Sequence, residues 1–577
     1  MPNSYDRRTF LGNSAKTTAG IAAVGGVGAL LAACGSSGSG SNTTIPYKKT
    51  VNGQTPGVGT GTPVMGGTLT IGTEAEEAGF DPSSAHFDST GVMYARTVFD
   101  PLAFTLADGS IVPYLAESIT PNSTYTEWTI TVRPNIVFHD GTPCDGAALL
   151  FCMKAFLASP LVNFALNYVA SVSQTGTNTI TIKMHHPWVP FDAWLAGYIG
   201  GQIAYMFSAK AFNNKAKPLN QYPVGTGPFV FSDWVPNDHF TAVKNKNYWR
   251  KDKSGNRLPY VDQVTFKPIP DVSSRFSALQ SGGIDLMHTD DAPTILQIRA
   301  LPTSQYQNVE DDTINVGQPD MGFLMLNTTK PPVNDVRIRQ AMAYAFNQPE
   351  YLKVIGHNVD QPTDGLFPKG NPYYDPNGTG YPTYNPSKAT SLVNQWMSEN
   401  GGQAPVLEFS TTPTPASINA SATVATYFTA VGFKVNQSTV QQANFITDAV
   451  IGSFMVFSWR QFANVDPDLN YIFWSSYAAI PHAGIVTNFA RNQDPQIQKA
   501  CDDGRQSADP SVRKTAYQTV QNRLAVDFPY IWADRDVWSV CATSKTQNFN
   551  NPTSPDHKTG LGMLSGIIWP TEIWKTA

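Results

Sequence analysis

The sequence predicts a mixed fold of the α/β or α+β class, and three observations carry that reading. Segments with period-two alternation and segments with helical spacing are interleaved along the whole chain. Each is bounded by glycine, proline or a capping side chain, which 45 Gly and 43 Pro make frequent. No internal repeat is apparent, and 577 residues leave room for several domains.

Taken in order, the first element is a leader and lies outside the fold. Asp6-Arg7-Arg8-Thr9-Phe10-Leu11 sets two arginines before an apolar pair, and no charge follows Lys16 through the small-residue stretch to Ala33. That stretch is too glycine-rich for a spanning helix, which needs ~20 predominantly apolar residues. It reads as an export signal, and the adjacent arginines point to the twin-arginine route. Leu31-Ala32-Ala33-Cys34 resembles the lipobox of bacterial lipoproteins. On that reading residues 1–33 are a signal peptide, and Cys34 is lipidated and becomes the new N-terminus. Residues 34–65, rich in Gly, Ser, Pro and Thr, are a flexible linker. The lipid alone would hold the protein on the outer face of the cell membrane.

The body follows. Leu69 and Ile71 alternate in an opening strand, as do Trp128, Ile130 and Val132, and then Ile180, Ile182 and Met184. Gly225, Gly227 and Pro228 form a turn into a strand at Phe229–Phe231, and His139-Asp140-Gly141 form another turn. Asp335 precedes a helix whose inner face carries Ile338, Ala341, Met342 and Ala345. Asn385-Pro386 gives a cap and a first-turn proline. Phe454 to Trp459 is apolar enough for a strand covered on both faces. A helix carrying Ala516, Val520 and Leu524 stops before Pro529.

Without its leader the chain's net charge moves from -5 to about -7, since Asp6, Arg7, Arg8 and Lys16 are lost. That excludes a basic nucleic-acid footprint. Four cysteines remain, an even number that permits disulfides in an exported protein, Cys501–Cys541 being the favoured pair. Against that, Cys152 and Cys501 fall at helical spacing among apolar residues and read as small buried groups.

Ordered fragments from Gly66 to about Asn550 then resemble one family, the extracellular solute-binding proteins of family 5, the peptide/nickel type. They include Phe80-Asp81-Pro82, Pro113-Tyr114-Leu115-Ala116-Glu117 and Phe138-His139-Asp140-Gly141-Thr142-Pro143. Val224 to Phe229, Ala278 to Asp285, Pro331 to Ala341 and Asp466-Pro467-Asp468 follow in the family's order. The resemblance implies an α/β, two-lobed periplasmic-binding-protein-like fold (type II, large cluster) with an extra inserted α+β domain. Lobe I would comprise 66–101, 209–288 and 534–577, around an insertion at 102–208, with lobe II at 289–533. It further implies a monomer that hands a solute to the permease and ATPase subunits of an ABC importer.

The resemblance also implies a set of ligand contacts. Ser458, Trp459 and Arg460 lie on the strand that carries them in relatives, Glu74 matches a cleft-facing acid, and Trp532 and Arg535 lie on a late strand near the site. The alternative for Glu74 is a solvated loop shared with Glu76 and Glu77. In peptide binders an aspartate three residues after the tryptophan accepts the ligand's ammonium. Here that place holds Phe462, or Ala463 if counted back from Pro467, while Asp466 caps the next helix. A free peptide would lose its anchor, so neutral oligosaccharides or blocked peptides are expected instead.

Other functions find less support in the residues. There is no nucleophile elbow, no His-Glu-x-x-His and no Cys-x-x-Cys, so no enzyme is expected. Nine unclustered histidines argue against a metal, and no cofactor motif is seen. A receptor that presents ligand to a sensor, or a surface scaffold without transport, is the rival role on the same fold, with a hydrolase as the remaining alternative.

Overall fold

The computed structural model describes residues 57–198, 200–311 and 319–576; the expected signal peptide, Cys34 and the linker up to residue 56 lie outside them. The opening strand, Thr68–Thr73, buries Leu69 and Ile71 and pairs in parallel with Gln263–Pro268 and with Leu286–Thr289. It lies inside a seven-stranded sheet whose outer members include Phe229–Val235 and Tyr306–Asp311. A five-stranded sheet runs in the order Lys434–Thr439, Val406–Thr411, Val456–Gln461, Met321–Leu326, Tyr530–Asp534. Each organises one lobe of an α/β fold.

The inserted α+β domain is a four-stranded antiparallel sheet running from Ala116–Pro121 to Thr179–Met184. Trp128, Ile130 and Val132 point inward with Ile180 and Ile182, and the helix Gly146–Ala158 covers them. This is period-two alternation with one face buried.

The chain leaves the first sheet later than expected. Tyr306–Asp311 pairs antiparallel with Trp538–Thr543, so the first lobe keeps the chain to Asp311 rather than 288. An edge strand reading Tyr-Gln-Asn-Val-Glu-Asp has one buried residue, Val309, and shows little apolar pattern. The return crossing lies between Asp534 and Trp538.

Helix ends follow their side chains. Asp335 accepts from the backbone N–H of Arg337, Asn385 from Lys388 with Pro386 in the first turn, and Asp466 from Asp468 at 2.8 Å. The helix Pro510–Asp527 ends at Phe528 in the left-handed region, φ 50°, before Pro529. Cys144, Cys152, Cys501 and Cys541 are all buried free thiols. The favoured Cys501–Cys541 disulfide is absent because Cys501 packs on a helix of one cluster and Cys541 on a strand of another.

A buried carboxylate stands at the centre of the contact between the inserted domain and the second lobe, beside bonds such as Tyr168 Oη to Asp502. Asp468, 1% exposed, accepts from Trp188 Nε1 at 2.9 Å, Trp194 Nε1 at 2.7 Å and Arg505 Nε at 2.8 Å. Arg505 sits among the rings of Tyr471, Trp188, Tyr168 and Trp194, 3.6 to 5.6 Å from their centroids. Aromatic faces and one carboxylate together offset the cost of burying a guanidinium. Asp468→Asn is expected to lower the unfolding free energy by about 3–5 kcal/mol, the usual cost of breaking a buried pair. Denaturant unfolding measures it, and a loss below about 1 kcal/mol would mean that the rings suffice.

Candidate functional site

Three neighbouring strands of the second sheet set the site. Gly322 stands in register between Arg460 on one side and Asp534 on the other, so those two side chains share a face. Nothing but hydrogen fills the place between them. A Cβ at 322 would collide with Asp534 Oδ1 and lie 3.5 Å from Asp536 Oδ1, so both carboxylates converge on that glycine.

Arg460 spans the gap between lobes. Its Nη2 donates to Glu74 Oε1 at 2.7 Å and its Nη1 to Asp290 Oδ2, both on loops leaving strands of the first sheet. The guanidinium lies 4.7 Å from the Trp538 ring centroid and 4.9 Å from that of Phe462. Glu74 is therefore not part of a solvated loop. Its backbone N–H donates to His288 Nε2 at 3.1 Å, which leaves that nitrogen unprotonated. Burial, with Arg275 and Arg460 nearby, holds His288 well below its ordinary pKa and hence neutral.

More carboxylates gather at the crossings. Asp360 accepts from the Val537 N–H at 3.4 Å, beside a backbone bridge between Gln361 and Arg535. Burial and mutual repulsion push Asp360 and Asp536 well up, and burial with Asp290 nearby raises Asp534 to about 7. Burial likewise lifts Asp320 to about 7, although it accepts from Ala463 N–H and the Ser565 hydroxyl, both at 2.9 Å. Glu74 rises to about 7 for the same reason, against the pull of Arg460.

The structure brings Arg460 and Glu74 together and separates the other expected contacts from them. Ser458 pairs with Leu324, half-buried, two residues before Arg460 on the same strand. Trp459 points to the opposite face, stacked on Phe445 at 5.6 Å with its edge toward Phe489. Trp532 is 2% exposed and packs on Phe323, Tyr530 and Tyr381, as a core residue does. Arg535 is buried and donates through Nε to the Pro362 carbonyl, bracing the 360–362 segment.

Phe462, where relatives were expected to carry an acid, pads the guanidinium. Asp290, Asp360, Asp534 and Asp536 arrive from elsewhere and supply acids that the strand itself lacks. Their only signal in the sequence was the acidic pair Asp290-Asp291 and the Asp534-Arg535-Asp536 run. Among the described residues, no group of three His, Cys, Asp or Glu could hold a metal ion, and no helix is long and apolar enough to cross a membrane.

A model of the bacterial extracellular solute-binding proteins, family 5 (middle part), matches residues 110–480. The nickel-binding periplasmic protein of Escherichia coli is 25% identical over 502 residues, 84% of this chain and 92% of that protein. The glutathione-binding protein GsiB of Pectobacterium atrosepticum is 24% identical, over 78% and 85%. Among solved structures, a periplasmic binding protein from Helicobacter pylori in complex with the peptide STSA superposes with a TM-score of 0.75. It is 23% identical, over 87% of this chain and 99% of that one. The chain belongs to the family 5 extracellular solute-binding proteins, and such proteins work outside the cytoplasm.

Raised carboxylates give a signed pH dependence. Asp534 and Asp320 hold their protons in the folded protein up to about pH 7, whereas in the unfolded chain they release them near pH 4. Folding therefore takes up protons between those values, and stability falls as pH rises from about 4 to about 7. Each pKa unit carries about 1.4 kcal/mol, so the unfolding free energy contributed by these groups should drop by a few kcal/mol across that window. Denaturant unfolding at several pH values should show the slope, and Asp534→Asn should flatten it; an unchanged slope would deny Asp534 its raised pKa.

Proposed function

We propose that this family 5 protein is the capture component of an ATP-driven importer. It takes a small polar solute, whether peptide, oligosaccharide or another compound, between its lobes and delivers it to a membrane permease. The observation that carries this reading is the Arg460 bridge to Glu74 and Asp290. Arg460 belongs to the second lobe and both acids to the first, so the bridge forms only when the lobes are closed. Relatives that bind nickel, glutathione or a peptide support a role in binding without prescribing the solute.

In this reading Arg460, Glu74 and Ser458 face the solute, while Trp459 sets the strand that presents them. Trp532 and Arg535 support the wall from behind. The first lobe comprises 66–101, residues from 209 to Asp311, and the chain after Asp534, with 102–208 inserted. The protein acts as a monomer, exported through the twin-arginine route and tethered at Cys34 by lipid and linker.

Closure is tested by small-angle scattering. Solute should compact the particle, and Arg460→Met should enlarge the solute-free particle by leaving two acids facing each other. Its affinity for solute should fall by at least tenfold, since losing one partner of a buried charge pair costs about 2–5 kcal/mol. A radius that neither solute nor the substitution changes would mark a rigid scaffold. For the tether, Cys34→Ala should release the protein from the membrane fraction or leave it unprocessed; a variant still cleaved and membrane-bound would refute lipidation there.

A further inference from the structure

The C-terminal part of the chain sends one turn between the lobes. Near its end, Lys575 Nζ lies 2.7 Å from Asp285 Oδ1 and donates to the Thr68 carbonyl at 3.0 Å, which ties the tail to the first sheet. Between the strand Trp538–Thr543 and that tie, Leu564 and Ile567 bridge to each other. The two residues at the tip, Ser565 and Gly566, are both left-handed, φ 53° and 70°, as a type I′ turn requires. Glycine takes that conformation freely, whereas serine is strained there. Residue 565 thus carries a side chain where the backbone favours none.

Both lobes hold the tip. In the first, Ser89 Oγ, opening the helix Ser89–Val98, donates to the Ser565 carbonyl at 2.7 Å. Gly566 lies so close to Trp538 that a Cβ would stand 2.4 Å from its ring, and 2.9 Å from His288 Nδ1. In the second, Asp320 and Ala463 lie just past the paired strand ends Met321 and Gln461. Ser565 Oγ donates to Asp320 Oδ1 at 2.9 Å and accepts from the Ala463 N–H at 3.0 Å. The same N–H donates to Asp320 Oδ1 at 2.9 Å. Ser89, Asp320, Ala463 and Ser565 are each at most 1% exposed, so these bonds are shielded from water. The two sides are unequal. Leu564, Ile567 and Ile568 are buried and Lys575 ties the tail to the first sheet, whereas toward the second lobe the turn is held through the Ser565 hydroxyl.

We propose that the turn Leu564–Ile567 is a latch for the closed lobes: its Ser565 hydroxyl seats on Asp320 and Ala463, and the cleft reopens only when that hydroxyl withdraws with the first lobe. This rests on the capture reading and adds to the Arg460 bridge a second contact that closure must make. Parting the lobes breaks the turn on its weaker side, and both bonds of the hydroxyl go in one step. A shielded hydrogen bond to a carboxyl group is among the stronger kinds, and leaving its partners unmatched is costly. Water supplies new partners once the gap is open, so the latch resists the start of opening and not its completion. In the closed state the same bonds offset the strain of a left-handed serine.

Hydrogen exchange and small-angle scattering on the mature chain, without added solute, test the latch. In the unsubstituted protein the Ala463 amide should exchange by a partial opening that leaves the amides of Val456 to Ser458 protected. Exchange of Ala463 on global unfolding alone would overturn the proposal, whatever any variant does. Ser565→Gly suits the left-handed backbone and removes the hydroxyl. It should speed Ala463 exchange by about tenfold or more and enlarge the solute-free particle. The Ile567 amide, which donates to the Leu564 carbonyl across the turn, should stay as protected as before. An unchanged Ala463 rate, an unchanged radius, or equal loss of protection at Ile567, which would mean that the serine shapes only its own turn, would each overturn the latch. The capture reading fails separately, because it is read from compaction by solute and the latch from exchange and radius without it. A particle that solute compacts but Ser565→Gly leaves unchanged keeps capture and removes the latch, whereas one that neither changes removes both.

Discussion

One guanidinium decides how the two lobes meet. Arg460 leaves the second sheet beside a glycine, crosses to the first lobe and is held there by Glu74 and Asp290 with Trp538 and Phe462 on its faces. Buried ion pairs are weak evidence for stability, because desolvation offsets most of the attraction. Their strength lies in geometry: the bridge needs the two lobes close enough for one guanidinium to reach both acids. Everything near it conforms, including the neutral His288 that accepts the Glu74 N–H and the glycine that lets Asp534 stand close.

Arg505 is held by the same chemistry with a different consequence. It too is surrounded by rings and answered by a carboxylate, Asp468. Both of these residues belong to the second lobe, and the inserted domain joins them through Trp188 and Trp194. That clamp is dry, with 0% and 1% side-chain exposure, whereas the Arg460 bridge keeps 24% and 15% toward Glu74. Water therefore has access to the interlobe pair and not to the clamp. An ion pair that must open and close benefits from solvent that can replace its partner; one that only fastens does not.

Local physics made much of the fold legible. Leu69 and Ile71, or Trp128, Ile130 and Val132, alternate because one face of each strand is covered, and Asp335, Asn385 and Asp466 cap because their oxygens reach nearby N–H groups. What escaped was non-local. Tyr306–Asp311 is a strand because Trp538–Thr543, more than 200 residues later, offers it an edge. Trp459 drew attention as a large ring on the right strand, yet its neighbour Arg460 faces the other lobe, a difference set by strand parity at Gly322. The acids of the site come from loops at 290, 360 and 534–536, and nothing in one segment announces that the others will be beside it.

The pairing at the crossings sets the kind of motion open to the lobes. Tyr306–Asp311 lies beside Trp538–Thr543 in the first sheet, and Met321–Leu326 beside Tyr530–Asp534 in the second. One described crossing, from Asp534 to Trp538, is thus held by pairing in the second sheet before it and in the first sheet after it. Sliding one lobe past the other would shear that pairing, whereas swinging about the crossing would leave it intact. Asp534 and Asp536, at that crossing, therefore sit where a swing of the lobes displaces the walls least.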